Sequence, residues 1–115
     1  MTASLTTTHT LFRAFADETR LRMLSLLLER ELCVCELGSV LRVSQPNVSR
    51  HLGYLRRAGL VTMRQQGKWK YYAVANKTVG VHRALLNCVQ DCLRGVDVLQ
   101  KDLRQLRKIA LRCEC

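Results

Sequence analysis

The sequence predicts a mainly α chain with a β-hairpin wing, a winged helix-turn-helix, and three observations carry that prediction. Two short helical segments meet at a tight turn over residues 34–59. The hydrophobic period then changes from helical to two over residues 60–74, and a long segment with apolar residues in 4-3 alternation follows. At 115 residues, with 48% hydrophobic and 24% charged residues, the chain has the size and composition of a single domain with a modest core.

Residues 1–8 are rich in Thr and are expected to be a flexible N-terminus. Leu11, Phe12, Phe15 and Ala16 then supply the apolar face of a short first helix. Asp17 is placed to cap a second helix, whose Leu21, Leu24, Leu27 and Leu28 fall at helical spacing through Arg30. The arginines of that helix lie on its polar face and read equally well as solvated charge.

A third helix should run from Val34 or Cys35 to Leu41, with Leu37, Val40 and Leu41 facing inward and Arg42-Val43 as the turn. Ser44 opens the fourth. Pro46 falls within its first turn, where a missing N–H costs nothing because that donor has no intrahelical partner. Val48, His51 or Leu52, and Leu55 form its buried side, and Gly59 stands where a left-handed cap ends a helix.

Leu60–Arg64 and Lys68–Val74 are β-branched or aromatic runs on either side of Gln65-Gln66-Gly67, the pattern of a hairpin. In the second strand Trp69, Tyr71 and Ala73 share one face, while Lys68, Lys70 and Tyr72 share the other. One side is expected to pack on the helices and the other to approach phosphates.

From residue 78 to residue 111, Leu85, Val89, Cys92, Val96, Leu99, Leu103, Leu106 and Ala110 alternate 4-3 without interruption. That spacing predicts one long dimerisation helix with a coiled-coil seam, paired with its twin in a homodimer. A Cys-x-Cys tail occupies residues 112–115.

The charge balance points to the partner. Nineteen Lys and Arg against 9 Asp and Glu give a formal net charge of +10, which favours an anionic partner and puts nucleic acid first. The N-terminal stretch has neither a positive n-region nor an apolar h-region, and no apolar run approaches a membrane span, so a cytoplasmic protein with no membrane partner is expected. Six cysteines in such a protein suit metal binding or redox chemistry better than a disulfide framework. No acid/base or nucleophile constellation of an enzyme is present.

In a helix-turn-helix the second helix enters the major groove, its N-terminal residues reaching base edges and its flanks gripping phosphates. Here Ser44, Gln45, Asn47, Ser49, Arg50 and His51 supply the amides, hydroxyls and guanidinium that base edges and phosphates need. His51 suits groove contact and wedging against the core equally. Arg56 and Arg57 at the helix end, and Arg64, Lys68 and Lys70 in the hairpin, read as phosphate or minor-groove contacts, with solvated charge as the alternative.

These segments resemble the arsenical-resistance repressors of the ArsR/SmtB family of metal-sensing winged-helix regulators. The resemblance spans Phe12 to about Val74 and rests on four stretches in register: Ala16-Asp17-Glu18-Thr19-Arg20-Leu21, Glu31-Leu32-Cys33-Val34-Cys35-Glu36-Leu37, Ser44-Gln45-Pro46-Asn47-Val48-Ser49-Arg50-His51-Leu52 and Gln66-Gly67-Lys68-Trp69. It implies a repressor that binds operator DNA, dimerises through its first and last helices and leaves the operator when an inducer metalloid binds.

Cys33 and Cys35 are the primary ligand candidates. On a regular helix their two-residue spacing is about 200° of rotation, which points the sulfurs apart. If Cys33 is instead in an extended lead-in, or if binding unwinds the first turn, the two can converge on one ion. As(III) and Sb(III), the expected inducers, take three thiolates in a pyramidal site, and soft sulfur ligands select soft ions. The resemblance places a third thiol three residues after the second, but that position is Gly38.

Cys113, Cys115, Cys88 and Cys92 are the candidates for the missing ligand, with the C-terminal thiols preferred. Cys88 and Cys92, at i,i+4, could form a two-thiol site of their own, although Cys92 also reads as a buried residue of the seam. Were the last helix continuous, Cys92 and Cys113 would stand about 30 Å apart along it. His9 and His82 read as surface or structural residues. The competing functions are a repressor sensing Cd(II), Pb(II) or Zn(II), and a regulator that senses oxidants through its Cys-x-Cys pairs.

Overall fold

The computed structural model describes residues 4–76, 78 and 80–109. Its elements in chain order are α1 (Leu5–Phe15), α2 (Glu18–Glu29), β1 (Leu32–Cys33), α3 (Val34–Leu41), α4 (Gln45–Arg57), β2 (Val61–Gln66), β3 (Trp69–Val74), α5 (Gly80–Asn87), a π-helical turn (Cys88–Cys92) and α6 (Asp97–Ile109). The expected winged helix-turn-helix is present. Helices dominate, and one antiparallel sheet of order β1-β3-β2 forms the wing and its base.

Helix α2 is the centre of the fold. Met23, Leu24, Ser25, Leu26 and Leu27 are buried in one unbroken run, because α1, α3, α4, α6, β3 and the π turn all touch this helix. A helix covered all round needs no polar stripe at its middle. Asp17 caps it as expected, its Oδ1 accepting the Arg20 N–H at 3.0 Å. Helix α1 starts earlier than the composition suggested. Ser4 caps it through the Thr7 N–H, so residues 5–8, expected to be flexible, form its first turns.

The reading pair follows the sequence closely. Helix α3 ends on Arg42, whose φ of 55° and ψ of 46° are left-handed. Gly38 explains why the turn is so tight: a Cβ there would stand 3.0 Å from the Val43 carbonyl oxygen. Val48, Leu52 and Leu55 bury one face of α4, and Gly59 ends it with φ of 78°.

The hairpin turns on Gly67 and Lys68, between the paired Gln66 and Trp69. Gly67 has φ of 62°, which favours glycine. Of the two faces of β3, the one carrying Tyr72 packs inward: Tyr72 is buried in the core and Trp69 is exposed. The grouping of Tyr72 with Lys70 by alternation holds, but at Tyr72 that face packs on the core and does not face phosphates. Lys70 shares that face and is exposed, one residue from the hairpin turn.

The single long helix expected over residues 78–111 is also corrected. The π turn ends at Leu93, whose N–H donates to the Cys88 carbonyl, and residues 93–96 break the helical path at Gly95 before α6 begins at Asp97. Glycine at a helix interior is costly, and Asp is favoured in a first turn by the helix dipole, so the sequence itself carries the break. Helix α6 packs on α2 and α3 of its own chain, burying Leu99, Asp102, Leu103 and Leu106. Val89, Leu99, Leu103 and Leu106, all assigned to the seam, are thus buried within the chain, while Cys92 and Val96 are exposed. Asp102 is fixed by the Arg22 guanidinium, which donates to both carboxylate oxygens at 2.8 and 2.9 Å. No helix among the described residues is long and apolar enough to cross a membrane.

Candidate nucleic-acid interface and thiol site

Helix α4 is anchored by Val48, Leu52 and Leu55, with Tyr54 packed against the same core. Ser44, Gln45, Asn47, Ser49 and Arg50 are all exposed at its N-terminal half, and Arg56 and Arg57 at its end. Arg50 Nη2 donates to Asn47 Oδ1 at 3.1 Å, which presents an amide and a guanidinium together. Lys68 and Lys70 are exposed at the wing tip, with Lys68 Nζ lying 5.2 Å from the centre of the Trp69 ring.

Arg64, expected among the phosphate contacts, has an intramolecular role. Its Nε and Nη2 donate to the two carboxylate oxygens of Glu31 at 2.8 and 2.7 Å, and its guanidinium lies over the Tyr71 ring. Glu31 immediately precedes β1, so this pair ties the wing to the strand that carries Cys33.

His51 is half-buried and turned toward the core side. Arg20 Nη1 donates to its Nδ1 at 3.3 Å, a bond that requires the neutral ring. Burial holds the His51 imidazole below its ordinary pKa; Asp17 pulls it upward, and the charges of Arg20 and Arg50 add to the depression. Asp17 itself is lowered, because the N–H bonds and the charges of Arg20 and His51 outweigh the effect of its burial. With the folded His51 pKa below the unfolded value of about 6.5, the unfolded chain takes up the proton first. Stability present above that pH is lost as the pH falls toward the folded pKa. Urea unfolding at about pH 7.5 and about pH 5.5 should show a larger acid loss for the parent than for His51→Gln. Equal losses would show that His51 does not titrate against this pocket.

Arg20 is the residue that sequence reasoning missed. Its Nε and Nη2 donate to the carbonyls of Ala14 and Arg13 at 3.0 and 2.9 Å, in the last turn of α1, and its guanidinium stacks 4.2 Å from the centre of the Tyr54 ring on α4. One side chain on α2 therefore joins α1 to the reading helix. Its signal in the sequence is faint: Tyr54 follows His51 by three residues and so shares its face of α4.

Cys33 and Cys35 straddle a boundary. Cys33 is extended (φ −94°, ψ 169°), buried, and paired with Tyr71 of β3; Cys35 is half-buried in the first turn of α3. Glu36 secures that boundary, its Oε1 accepting the Cys33 N–H at 3.0 Å while Oε2 accepts from Arg30 at 3.3 Å. Among the described residues no three Cys, His, Asp or Glu side chains gather as a metal site. Cys88 and Cys92 are exposed on the π turn, which packs on α2 and α5, and Cys113 and Cys115 lie outside the described residues. His82 has a structural role: its Nε2 donates to the Ala58 carbonyl at 2.9 Å, at the end of α4.

An exposed polar helix beside a two-stranded wing, on a chain of strong positive charge, defines a winged-helix DNA-binding regulator. The comparisons sharpen that class. Residues 17–63 match the model for the bacterial regulatory protein arsR family. Over 86 residues the chain is 49% identical to the arsenic resistance transcriptional regulator ArsR1 of Pseudomonas putida, covering 74% of this chain and 62% of that protein. It is 53% identical over 66 residues to the arsenical resistance operon repressor of Escherichia coli, 56% of each. Among solved structures, reduced HlyU from Vibrio cholerae is 34% identical with a TM-score of 0.65, covering 76% of this chain and 88% of that one. The chain belongs to the ArsR family. It spans about three fifths of the length of the two arsenic-resistance relatives.

Proposed function

We propose that the chain is a cytoplasmic transcriptional repressor that binds operator DNA as a homodimer and is released when As(III) or Sb(III) binds its cysteine thiolates. The observation that carries this reading is the position of Cys33 and Cys35 across the junction of β1 and α3. The strand is hydrogen-bonded to the wing, and the helix leads through the Arg42 turn into α4. An ion that draws both sulfurs to itself must deform that junction, and both DNA-contacting elements hang from it. Two half-site readers then lose the spacing an operator demands.

The relatives named for arsenic resistance support the metalloid as inducer. Exposed Leu5 and Phe12 on α1, one face at i,i+7, and exposed Val81 on α5, the start of the segment expected to be the last helix, support a partner copy against α1 and α5. The third thiol comes from Cys113 or Cys115 in this reading, since position 38 is Gly, where a Cβ would stand 3.0 Å from the Val43 carbonyl oxygen. Restoring a thiol by Gly38→Cys would therefore strain the turn.

The DNA contact is tested with a duplex that the parent selects from a randomised pool. Arg50→Ala should weaken binding to that duplex by about 1–3 kcal/mol and relax preference at one position. Lys68→Ala should weaken all duplexes alike and make the salt dependence shallower by about one phosphate contact. Unchanged binding in Arg50→Ala would remove α4 from the groove.

A further inference from the structure

Helix α6 has no part in that account, yet its outer face carries charge of one sign. Lys101, Arg104, Arg107 and Lys108 are exposed, while Leu99, Leu103 and Leu106 are buried on the opposite side. Spacings of three and four residues place the four cations on one stripe, with about 10 Å of rise from Lys101 to Lys108. The acidic residues of α6 do not offset them. Asp102 is buried and engaged by Arg22, and Asp97 lies in the first turn, ahead of the stripe. Among the described residues none of the four cations forms an ion pair.

The helix dipole accounts for Arg107 and Lys108 in the last turn, but not for Lys101 and Arg104. Like charges three and four residues apart destabilise a helix, so an unpaired run of them gains from an anion supplied from outside. The place of the stripe selects that anion. Helix α6 packs on α3, the first helix of the reading pair. Lys101 and Gln105 line a cleft with Arg42, the left-handed residue of the turn. Arg42, Ser44 and Gln45 are exposed, which carries the basic surface from α6 to the start of α4. The stripe also lies outside residues 17–63, the part of the chain that the family model matches.

We propose that the exposed face of α6 binds the phosphate backbone of the operator beside the base pairs read by α4, extending the DNA contact beyond the helix-turn-helix and the wing. This contact rests on the DNA-binding reading above. It adds affinity and salt dependence but no sequence information, because Lys and Arg meet phosphates that every duplex presents.

The test titrates full-length parent and variants, over a range of salt, with the duplex that the parent selects from a randomised pool, lengthened at each end by about ten base pairs, one helical turn. Lys101→Gln/Arg104→Gln/Arg107→Gln/Lys108→Gln should lower affinity about tenfold or more at about 100 mM salt and make the salt slope shallower by about two per protomer. Preference among duplexes should not change. Arg104→Gln alone should lower the slope by about one, which keeps the test valid if the quadruple variant folds poorly. Lys101→Arg/Arg104→Lys keeps both charges and should bind as the parent does. Arg94→Gln removes an exposed charge that lines a different cleft, beside Glu29, and should leave the slope unchanged.

Parent-like affinity and slope in the quadruple variant would overturn the proposal and leave the operator reading intact. Equal weakening by Arg94→Gln and Arg104→Gln would overturn it too, since net charge alone would then set the effect. Loss of affinity in the quadruple variant beside parent-like binding in Arg50→Ala would instead remove α4 from the groove while the phosphate contact stands.

Discussion

Arg22→Met should destabilise the fold by about 3 kcal/mol. The Asp102 carboxylate is buried, and Arg22 supplies both of its hydrogen bonds, joining α2 to α6. Removing the cation leaves a carboxylate in the interior with no partner for its charge. The expected loss sits at the low end of the range for broken buried pairs because the Arg22 side chain keeps 26% of its surface in solvent. The double variant Arg22→Met/Asp102→Leu should recover most of the loss, since two apolar groups pack where two charges stood. Urea unfolding of the three proteins decides this. A change below about 0.5 kcal/mol for Arg22→Met would mean that α6 is not anchored by this pair.

The second large effect falls on Arg20. Arg20→Gln removes two charge-assisted bonds to the end of α1 and the guanidinium stacked on Tyr54, an expected loss of about 2–3 kcal/mol. Operator affinity should fall as well, because Tyr54 sits on the reading helix and α1 lies on the proposed partner-facing side. Arg20→Lys should not restore either property: an ammonium is a point donor and cannot reach two carbonyls while lying flat on a ring. Full stability and affinity in Arg20→Lys would reduce this residue to a solvated charge.

That outcome bears on how the chain can be read. The caps and turns were legible because each depends on local chemistry: Asp17 before α2, Arg42-Val43 as the turn, Ser44-Gln-Pro opening α4, Gly59 closing it and Gly67 in the hairpin. The exposed face of α4 was legible too, since Val48, Leu52 and Leu55 leave the polar residues only one side. Contacts between distant segments were not. Arg20, Arg22 and Arg64 look like ordinary surface arginines until Tyr54, Asp102 and Glu31 are brought against them.

The last segment failed for a different reason. A 4-3 alternation reports which residues are apolar on one face, not whether that face meets a twin or the parent domain. Gly95 and Asp97 carried the contrary signal within the pattern, and α6 used Leu99, Leu103 and Leu106 to cover α2 and α3. Strand β1 was equally hidden, being only two residues long. Yet its pairing with β3 is what links Cys33 to the wing.

The central claim is that the thiols at the β1–α3 junction control DNA binding, and one measurement addresses it. Operator complexes of the parent and of Cys33→Ser are titrated with As(III) under strictly reducing conditions, with Sb(III), Cd(II), Zn(II) and an oxidant as parallel arms. The parent should release DNA with As(III), and Cys33→Ser should hold it at the same concentrations. Release by As(III) that persists in Cys33→Ser would contradict the account.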